Sequence, residues 1–453
     1  MAQNKAKVFG YLPDDQPPWG QMVLLGFQHV LTMFPATVLV ALLVGFDVGT
    51  VLAVSGLATI TALILSKVWI GQFIPLYYGS SFSYITATIT LTGAAFGTYA
   101  GKDLVSLAQV GIVATGIINI GVGFLISAVG KDVFDKILPP VLTGSVALVI
   151  GVTLGGAAMD MASANWAIAI VTLIATVAFS VYLQGKGFIG LLPILLGALV
   201  GYLFSALFYS GQMDYSGITS ASFIRVPKFT LPAFGSPRAL ESIAAIAIIA
   251  IATIPESTAH LYQISLYVDK LADDLGKPRY HLDKNIGKNL VLDGIGDFIN
   301  GMFGGVAGTN YGENNSLMAI TRNYSGPVLI AAGVIAILLG FIGTLAAVVS
   351  SVPLAVTGGL AIYLFGVIGM QGIALIQSEE VDLFDPRQLA IGAVVTVVAI
   401  GAQVLGGGNV PLSETSALIG VFPNGLPGIA TGAVAGILLN LIFMFFPAEN
   451  LDK

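Results

Sequence analysis

Two glutamates and a histidine lie in stretches of this sequence that are otherwise apolar, and their chemistry needs an explanation. Glu256 lies within the apolar run 244–266, and His260 follows four residues later. A charged group at the centre of a membrane helix costs about 2.5–3.5 kcal/mol, so it usually faces a partner or a cavity. Residues four apart share one helix face, where a carboxylate and an imidazole can relay a proton. The alternative is a buried ion pair that only holds helices together.

Glu313 is the second glutamate, and it directly follows a break rich in Gly, Tyr and Asn, residues 309–312. If this break opens a half-helix, the free N–H groups and the positive dipole end of that helix would face the same cavity. The alternative is that Glu313 only caps the helix. His29 lies beside Gln28 in the first apolar run, which fits either a functional role or a satisfied buried polar pair.

Four aspartates also lie in or near apolar runs. Asp293 and Asp297 share one face of a short helix, and we expect a structural or boundary role for both. Asp47 and Asp160 lie at the ends of apolar runs and need no special explanation.

The composition identifies a membrane as the environment of these residues. Of the 453 residues, 56% are hydrophobic and only 9% are charged, whereas soluble domains are about 25% charged. The net charge of −6 argues against a nucleic-acid partner. The absence of cysteine excludes disulfides and thiolate metal sites. We expect no cleavable signal peptide, because a Pro/Asp-rich stretch over 13–18 precedes the first apolar run.

Apolar runs of about 20 residues predict the membrane spans, since a helix rises 1.5 Å per residue across a core of roughly 30 Å. Segments around 67–98 and 289–321 are short and interrupted, and leaving the weak ones out gives twelve spans. The full prediction has fourteen spans, over 21–44, 48–66, 82–98, 104–129, 138–159, 165–184, 188–209, 239–266, 289–304, 313–321, 326–349, 352–376, 388–406 and 427–446.

The basic residues set the orientation of these spans. With fourteen spans and a cytoplasmic N-terminus, fourteen Lys and Arg residues fall on the cytoplasmic side and four on the other, which are Lys102, Arg225, Lys228 and Arg238. This bias follows the positive-inside rule. We therefore expect both termini in the cytoplasm and a charged cytoplasmic connector over 267–288. A polar extracellular loop is expected over 210–238.

An internal repeat divides the chain into two halves. The pattern P-x-x-x-T-G over 139–144 recurs over 353–358, and the interrupted segment 79–82 has a counterpart in 312–315. Seven spans per half is an odd number, so the second half must be inverted across the membrane. Inverted repeats with interrupted helices are typical of secondary transporters, whose unwound backbone lines a site near the membrane centre. The alternative is two kinks or re-entrant turns without a ligand.

Several enzyme and channel motifs are missing from the sequence. It has no G-x-x-x-x-G-K-[ST] loop, no H-E-x-x-H, no G-x-S-x-G and no T-V-G-Y-G, which argues against an ATPase, a zinc or serine hydrolase and a potassium channel. We therefore expect a protein that is not an enzyme, that needs no cofactor or metal, and whose transport is driven by an ion gradient.

One motif of the sequence resembles the signature of a known family. The motif [Q/E]-N-x-G, followed after four residues by T-[R/K], appears as Glu313-Asn314-Asn315-Ser316 with Thr321-Arg322, and Ser316 replaces the usual glycine. Similar stretches run from 28–34 through 78–82 to 367–369. The chain thus resembles the nucleobase–ascorbate transporter (nucleobase:cation symporter-2) family along nearly its whole length, and within that family the bacterial uracil permeases.

The resemblance implies an all-α polytopic membrane protein with two inverted repeats of seven segments and short β-strands in segments 3 and 10, near 78–83 and 308–312. It also implies a core domain, a gate domain and a homodimer formed through the gate. The expected division is a cytoplasmic tail over 1–20, core over 21–137 and 239–349, gate over 138–209 and 350–446, an extracellular linker over 210–238 and a tail over 447–453.

The resemblance also assigns roles to residues. Glu256 and Glu313 match the two carboxylates of the family that bind substrate, and His260 matches the histidine tied to proton coupling. Phe82 and Gly312 match strand residues whose backbone N–H groups meet the substrate.

Three more residues belong to the expected sites. Ser81 and Tyr311 lie beside the substrate-binding residues, and His29 is included with Glu256, His260 and Glu313 in proton coupling. Uracil is a flat ring with two N–H donors and two C=O acceptors. Facing carboxylates can accept from the donors, strand amides can donate to the carbonyls, and aromatic rings can cover its face.

These expectations combine into proton-coupled uracil uptake by alternating access, in a multi-pass protein of the cell membrane. Its expected partners are uracil or a related nucleobase, protons and the lipid bilayer. Two alternatives remain open. The first is symport of xanthine or another nucleobase, and the second is a channel or anion carrier of similar architecture.

Overall fold

A computed structural model describes residues 10–130, 136–420, 422 and 425–446. The predicted tail 447–453 and the first nine residues of the predicted tail 1–20 lie outside the described residues.

The described chain is almost entirely helical. The strands are β1 Tyr78–Ser80, β2 Gly308–Asn310, β3 Asn409–Val410 and β4 Leu426–Pro427. The described helices are α1 Trp19–Val44, α2 Val48–Ile70, α3 Ile85–Thr92, α4 Lys102–Val129, α5 Pro140–Ser163, α6 Trp166–Tyr182, α7 Pro193–Phe208, α8 Ser216–Ser220, α9 Ala239–Ile246, α10 Ala250–Leu275, α11 Ile286–Phe303, α12 Gly312–Thr321, α13 Gly326–Gly340, α14 Gly343–Ser350, α15 Leu354–Ser378, α16 Pro386–Gly406 and α17 Gly428–Phe445.

Many of these helices have the length and composition of membrane spans. Eight apolar stretches of helix among the described residues are long enough to cross a bilayer, one of them running over α9 and α10, and α6, α7 and α13 are shorter apolar helices. Large apolar side chains such as Val404 and Leu405 are exposed on the outside of the bundle. A surface of this kind is suited to lipid, so the chain is a mostly helical membrane protein.

The predicted strands in the third and tenth segments are present, although both are shorter than expected. β1 and β2 pair antiparallel, with Tyr78 opposite Asn310 and Ser80 opposite Gly308. The ribbon continues by one bond at each end. Ser81 N donates to Ala307 O at 3.1 Å, and Tyr311 N donates to Tyr77 O at 2.9 Å. The two interrupted segments therefore pair with each other as one buried ribbon.

Four of the predicted spans differ from the observed helices. Within the predicted span 188–209, helix α7 begins only at Pro193, after the 3₁₀ turn Gly187–Leu191. The predicted helix 82–98 is a 3₁₀ turn, Phe82–Tyr84, followed by α3, which already ends at Thr92. The predicted span 239–266 is interrupted by the 3₁₀ turn Ala247–Ile249. The next helix then continues to Leu275, into the stretch that we expected to be a connector. Exposed charged residues are compatible with a helix that extends beyond the membrane, which apolarity alone does not reveal.

The predicted span 326–349 is also divided, into α13 and α14. Its break at Phe341 and Ile342 pairs with the loop that precedes α9. Arg225 N donates to Phe341 O, and Gly343 N donates to Phe223 O, both at 2.9 Å. This loop, predicted over 210–238, contains the short helix α8. A long-range pairing of this kind has no local sequence signal.

Close backbone contacts between helices hold the bundle together. α5 packs along α15, α4 along α11 and α2 along α13. A Cβ added at Gly151 would lie 2.4 Å from Gly369 N, and one added at Gly116 would lie 2.6 Å from Gly294 O. Small residues of this kind allow membrane helices to approach closely, because lipid provides no hydrophobic force between them.

Candidate functional site

The start of a helix lies at each end of the β1–β2 ribbon. The turn Phe82–Tyr84 begins just beyond β1, and α12 begins at Gly312 just beyond β2. Phe82 and Gly312 are therefore not strand residues as we expected, because the strands end at Ser80 and Asn310. The first N–H groups of a helix have no partner within the helix. Main-chain N–H donors are therefore expected at Phe82 and Gly312, as the resemblance implied, but they belong to helix starts rather than to strands.

Glu256 and His260 lie near the beginning of α10, directly after an interruption. The 3₁₀ turn Ala247–Ile249 precedes this helix, and Pro255 lies inside it. Proline removes one helical hydrogen bond and clashes with the preceding turn. Asn315, two residues after Glu313, donates through Nδ2 to His260 O at 3.0 Å. The helices that carry the two glutamates, from distant parts of the chain, are thus in direct contact.

His260 links α10 to the end of the ribbon. Its Nδ1 has no hydrogen-bond partner among the described residues. A Cβ added at Gly312 would lie 2.8 Å from His260 Nε2. Glycine at position 312 therefore leaves room for the imidazole beside the first N–H of α12.

Two successive asparagines fix the helix that carries Glu313. Asn314 Nδ2 lies 3.0 Å from Nδ1 of His29 and 3.2 Å from its carbonyl oxygen. Asn315 Nδ2 donates to His260 O at 3.0 Å and to Gln263 Oε1 at 3.3 Å. The signature motif therefore ties α12 to α1 on one side and to α10 on the other. Ser316, which replaces the family glycine, is exposed, and its Oγ donates to Gly312 O at 3.0 Å.

The expected site residues divide into two groups by exposure. Five of them are partly exposed, as residues that line an accessible cavity would be, and these are Phe82, Glu256, His260, Gly312 and Glu313. The remaining three, Ser81, Tyr311 and His29, are buried. Tyr311 packs its ring on Gly79, and its hydroxyl lies 2.9 Å from Ser80 O and 3.0 Å from Thr37 Oγ1. Its described contacts therefore support the ribbon.

A groove lies beside the candidate site, between α5 and α15. It has a volume of about 280 Å³ and apolar walls that include Gly151, Phe365 and Met370. Phe82 meets Phe365 edge-on, with ring centroids 6.2 Å apart. This contact connects the ribbon to the pair of helices around the groove.

A polar network behind the ribbon was not predicted as part of the site. Asp293 accepts hydrogen bonds from Ser257 Oγ and, at 3.1 Å, from Asn310 Nδ2. Asp297 accepts from the main chain of Gly308 at 2.8 Å. Their spacing on one helix face was visible in the sequence and agreed with a structural role. Their partners on β2 and α10 were not visible.

The described residues contain one group with the spacing of a metal site, and it lies apart from the glutamates. Ligand atoms of Asp269, His281 and Asp283 all lie within 4.8 Å of one another. Asp269 Oδ1 accepts from the main chain of Tyr280 at 2.7 Å, and Asp283 Oδ1 accepts from Ser265 Oγ at 2.9 Å. These carboxylates already fix the turn between α10 and α11.

Apolar helices around a polar site, with two interrupted segments that pair as a ribbon, define an integral membrane protein of the permease type. A sequence model for the permease family matches residues 20–406. The chain belongs to this permease family and is a transporter rather than an enzyme.

The chain is similar over nearly its whole length to curated proteins. It is 36% identical over 450 residues to the uracil permease of Bacillus caldolyticus, which covers 96% of each chain. It is 33% identical over 455 residues to the uracil permease of Bacillus subtilis, over 97% of this chain and 96% of the relative. It is 31% identical over 439 residues to a putative pyrimidine permease of Escherichia coli, over 95% and 91%. The resemblance stated from the sequence is confirmed.

Solved structures of other transporters share the fold. The transmembrane domain of a cyanobacterial bicarbonate transporter, BicA, matches with a TM-score of 0.52 at 15% identity, over 95% of this chain and 98% of that domain. The murine anion transporter Slc26a9 matches with a TM-score of 0.61 at 13% identity, over 98% of this chain and 73% of that chain. At such low identity the likeness concerns the fold alone.

Proposed function

We propose that this permease is a proton-coupled uracil symporter of the cell membrane that works by alternating access. One observation carries the proposal. Glu256 and Glu313 come from distant segments of the chain, and their helices are joined beside the β1–β2 ribbon by the hydrogen bond from Asn315 Nδ2 to His260 O. The uracil permeases among the relatives named above make a pyrimidine base the first substrate to test.

The geometry of the ribbon supports recognition of a planar base. Three residue pairs at about 3.3 Å per residue make a ribbon roughly 10 Å long, and helix starts at Phe82 and Gly312 flank its two ends. A pyrimidine with carbonyls on two sides could accept a hydrogen bond from the main chain at each end. Glu256 and Glu313 would accept from its N–H groups. Phe82 would cover one face of the ring, while Ser81 and Tyr311 hold the ribbon in place.

Proton coupling is assigned to the acidic and histidine side chains of the same site. Glu256 and His260 lie one turn apart on α10, a spacing that suits a carboxylate and an imidazole that relay a proton. Glu313 is the second carboxylate, and His29 contacts the neighbouring Asn314. Repulsion between two carboxylates in one site disfavours the ionisation of both. Protonation of one carboxylate would therefore accompany the binding of neutral uracil.

Fourteen segments in two inverted repeats are the proposed architecture. The packing supports this, because α2 pairs with α13 and α4 pairs with α11. In the fourteen-segment numbering these pairs are segments 2 with 11 and 4 with 9. A repeat that relates each segment to the one seven positions away converts the first pair into the second. The core would comprise 21–137 and 239–349 and the gate 138–209 and 350–446, with both termini in the cytoplasm. The contact of Phe82 with Phe365 would then lie between core and gate.

A homodimer through the gate domain is the proposed assembly. The apolar groove between α5 and α15 supports it, because its rim carries exposed residues such as Val152, Met159 and Met370. Cross-linking of cysteines introduced at Val152 and Met370 in membranes would give covalent dimers. A monomer at all protein concentrations would contradict the assembly.

Uptake into proteoliposomes tests the function. We expect labelled uracil to accumulate when the outside is acidic, to stop accumulating when an ionophore collapses the proton gradient, and to saturate. Competition by a panel of bases separates the alternatives. Stronger competition by xanthine than by uracil would favour an oxopurine substrate. Non-saturating flux without proton dependence would indicate a channel, and bicarbonate transport an anion carrier.

A further inference from the structure

Asp297 lies behind the ribbon and receives hydrogen bonds from three elements at once. Its carboxylate is fully buried on α11. It accepts from Asn119 Nδ2 on α4 at 2.9 Å, from Gly308 N on β2 at 2.8 Å, and from the hydroxyl of Tyr78 on β1. A single carboxylate therefore bonds to both strands of the ribbon.

The ring of Tyr78 lies in a slot that is built around it. A Cβ added at Gly296 or at Gly308 would lie 2.8 Å from atoms of this ring. At its main chain, Tyr78 O accepts from Ser55 Oγ at 2.7 Å, and Tyr78 N donates to Thr59 Oγ1 at 3.1 Å. Helix α2 therefore fixes the backbone of this tyrosine, and α11 fixes its hydroxyl.

We propose that Asp297 and Tyr78 are a positioning pair that sets β1 against β2, and with them the main-chain donors at the two ends of the ribbon. The proposal rests on the proposed function, in which those donors meet the base. Neither side chain is assigned contact with the substrate. Asp297 acts through Gly308, two residues before the end of β2, and Tyr78 acts as the first residue of β1.

A carboxylate suits this position because only donors converge on it. Tyr78 contributes an O–H, and Asn119 and Gly308 contribute N–H groups. An ionised carboxylate has two acceptor oxygens and no donor, whereas an asparagine would bring two N–H groups of its own. Removing the carboxylate would leave buried donors unpaired, which costs more than the bond itself contributes.

The variants Tyr78→Phe, Asp297→Ala and the double variant test the pair in the purified full-length protein. We expect Tyr78→Phe to weaken uracil binding about threefold to tenfold and Asp297→Ala to weaken it at least about tenfold. The double variant should match Asp297→Ala, because both changes remove the same bond. Tyr363→Phe is the matched control. It removes a tyrosine hydroxyl that contacts Ser180 between α6 and α15, away from the ribbon.

Hydrogen exchange of the peptide around β2, without any ligand, provides a readout that does not depend on uracil. We expect faster exchange over 306–312 in Tyr78→Phe and Asp297→Ala but not in Tyr363→Phe. If wild-type protein does not bind uracil, the proposed function fails while this readout still tests the pair. Unchanged exchange and unchanged uracil affinity in Tyr78→Phe would overturn the positioning role, even if Asp297→Ala does not fold.

Discussion

The side-chain amide of Asn314 lies 3.0 Å from Nδ1 of His29, so the half-helix that carries Glu313 is anchored to the first membrane helix. The same amide donates to the carbonyl of His29 at 3.2 Å. Because the amide N–H groups donate, Nδ1 accepts and the imidazole proton lies on Nε2 in this arrangement. His29 therefore reaches the site through Asn314, and its proposed part in proton coupling can be tested separately from its part in folding.

His29→Leu removes the side-chain acceptor of Asn314 and replaces the imidazole with an apolar side chain of similar size. We expect the free energy of unfolding to fall by about 1–3 kcal/mol, because a buried amide loses a partner. If His29 also takes part in coupling, the pH profile of uracil uptake between about pH 5 and 8 should shift. A lower melting temperature with an unchanged pH profile would limit His29 to a structural role. Asn314→Ala, which removes both bonds, should destabilise the protein at least as much.

Gly312→Ala should impair the site without unfolding the protein. The new methyl group would lie 2.8 Å from His260 Nε2, so the imidazole must move away from the start of α12. We expect uracil affinity to fall about threefold to tenfold, as the loss of one hydrogen bond to a neutral base would produce. Gly121→Ala is the control, because a Cβ there meets nothing within 4 Å. Equal uracil affinities in the two variants would contradict the assignment of Gly312.

The contact between α5 and α15 depends on glycine at position 151. A Cβ there would lie 2.4 Å from Gly369 N and 2.5 Å from Phe365 O. We expect Gly151→Val to lower the free energy of unfolding by about 1–3 kcal/mol or more, because overpacking forces the backbones apart. Gly155→Val, one turn later, meets nothing within 4 Å at its Cβ. Similar melting temperatures for both variants would show that the helices are not so closely packed.

Asp47 holds the start of α2 and the loop that precedes α9. Its Oδ1 accepts from Thr50 N at 2.9 Å, and its Oδ2 accepts from Arg225 Nη2 at 2.7 Å. Asp47→Asn weakens the cap and the ion pair together, and we expect a loss of about 1–3 kcal/mol in unfolding free energy. Asp160→Asn, at an exposed position on α5, should change stability by less than about 0.5 kcal/mol. Equal losses of unfolding free energy in the two variants would contradict the structural role of Asp47.

The sequence was most informative at ionisable residues that lie within apolar runs. Glu256 and Glu313 stood out because a carboxylate in an apolar run needs a cavity or a partner. The two interruptions stood out because glycine and polar residues break the apolar pattern. The strands near Tyr78 and Thr309 were implied by the family resemblance, and both are present.

What the sequence could not provide was long-range pairing. Asp297 bonds to Tyr78, 219 positions earlier, and no periodicity reports a partner at that distance. The division between α13 and α14 was missed for the same reason, because the loop residue Arg225 pairs there through its backbone. The C-terminal part of α10 was missed because charged residues also form helices, so the end of an apolar run does not mark the end of a helix.

Binding of labelled uracil to purified protein tests whether Glu256 and Glu313 form the substrate site. The comparison is wild type with Glu256→Gln, Glu313→Gln and, as control, Glu379→Gln at the exposed end of α15. We expect saturable binding to wild type and to the control, and at least about a hundredfold loss in each of the two site variants, because a polar group of the base is left unpaired. Wild-type affinity in both folded site variants would contradict this assignment.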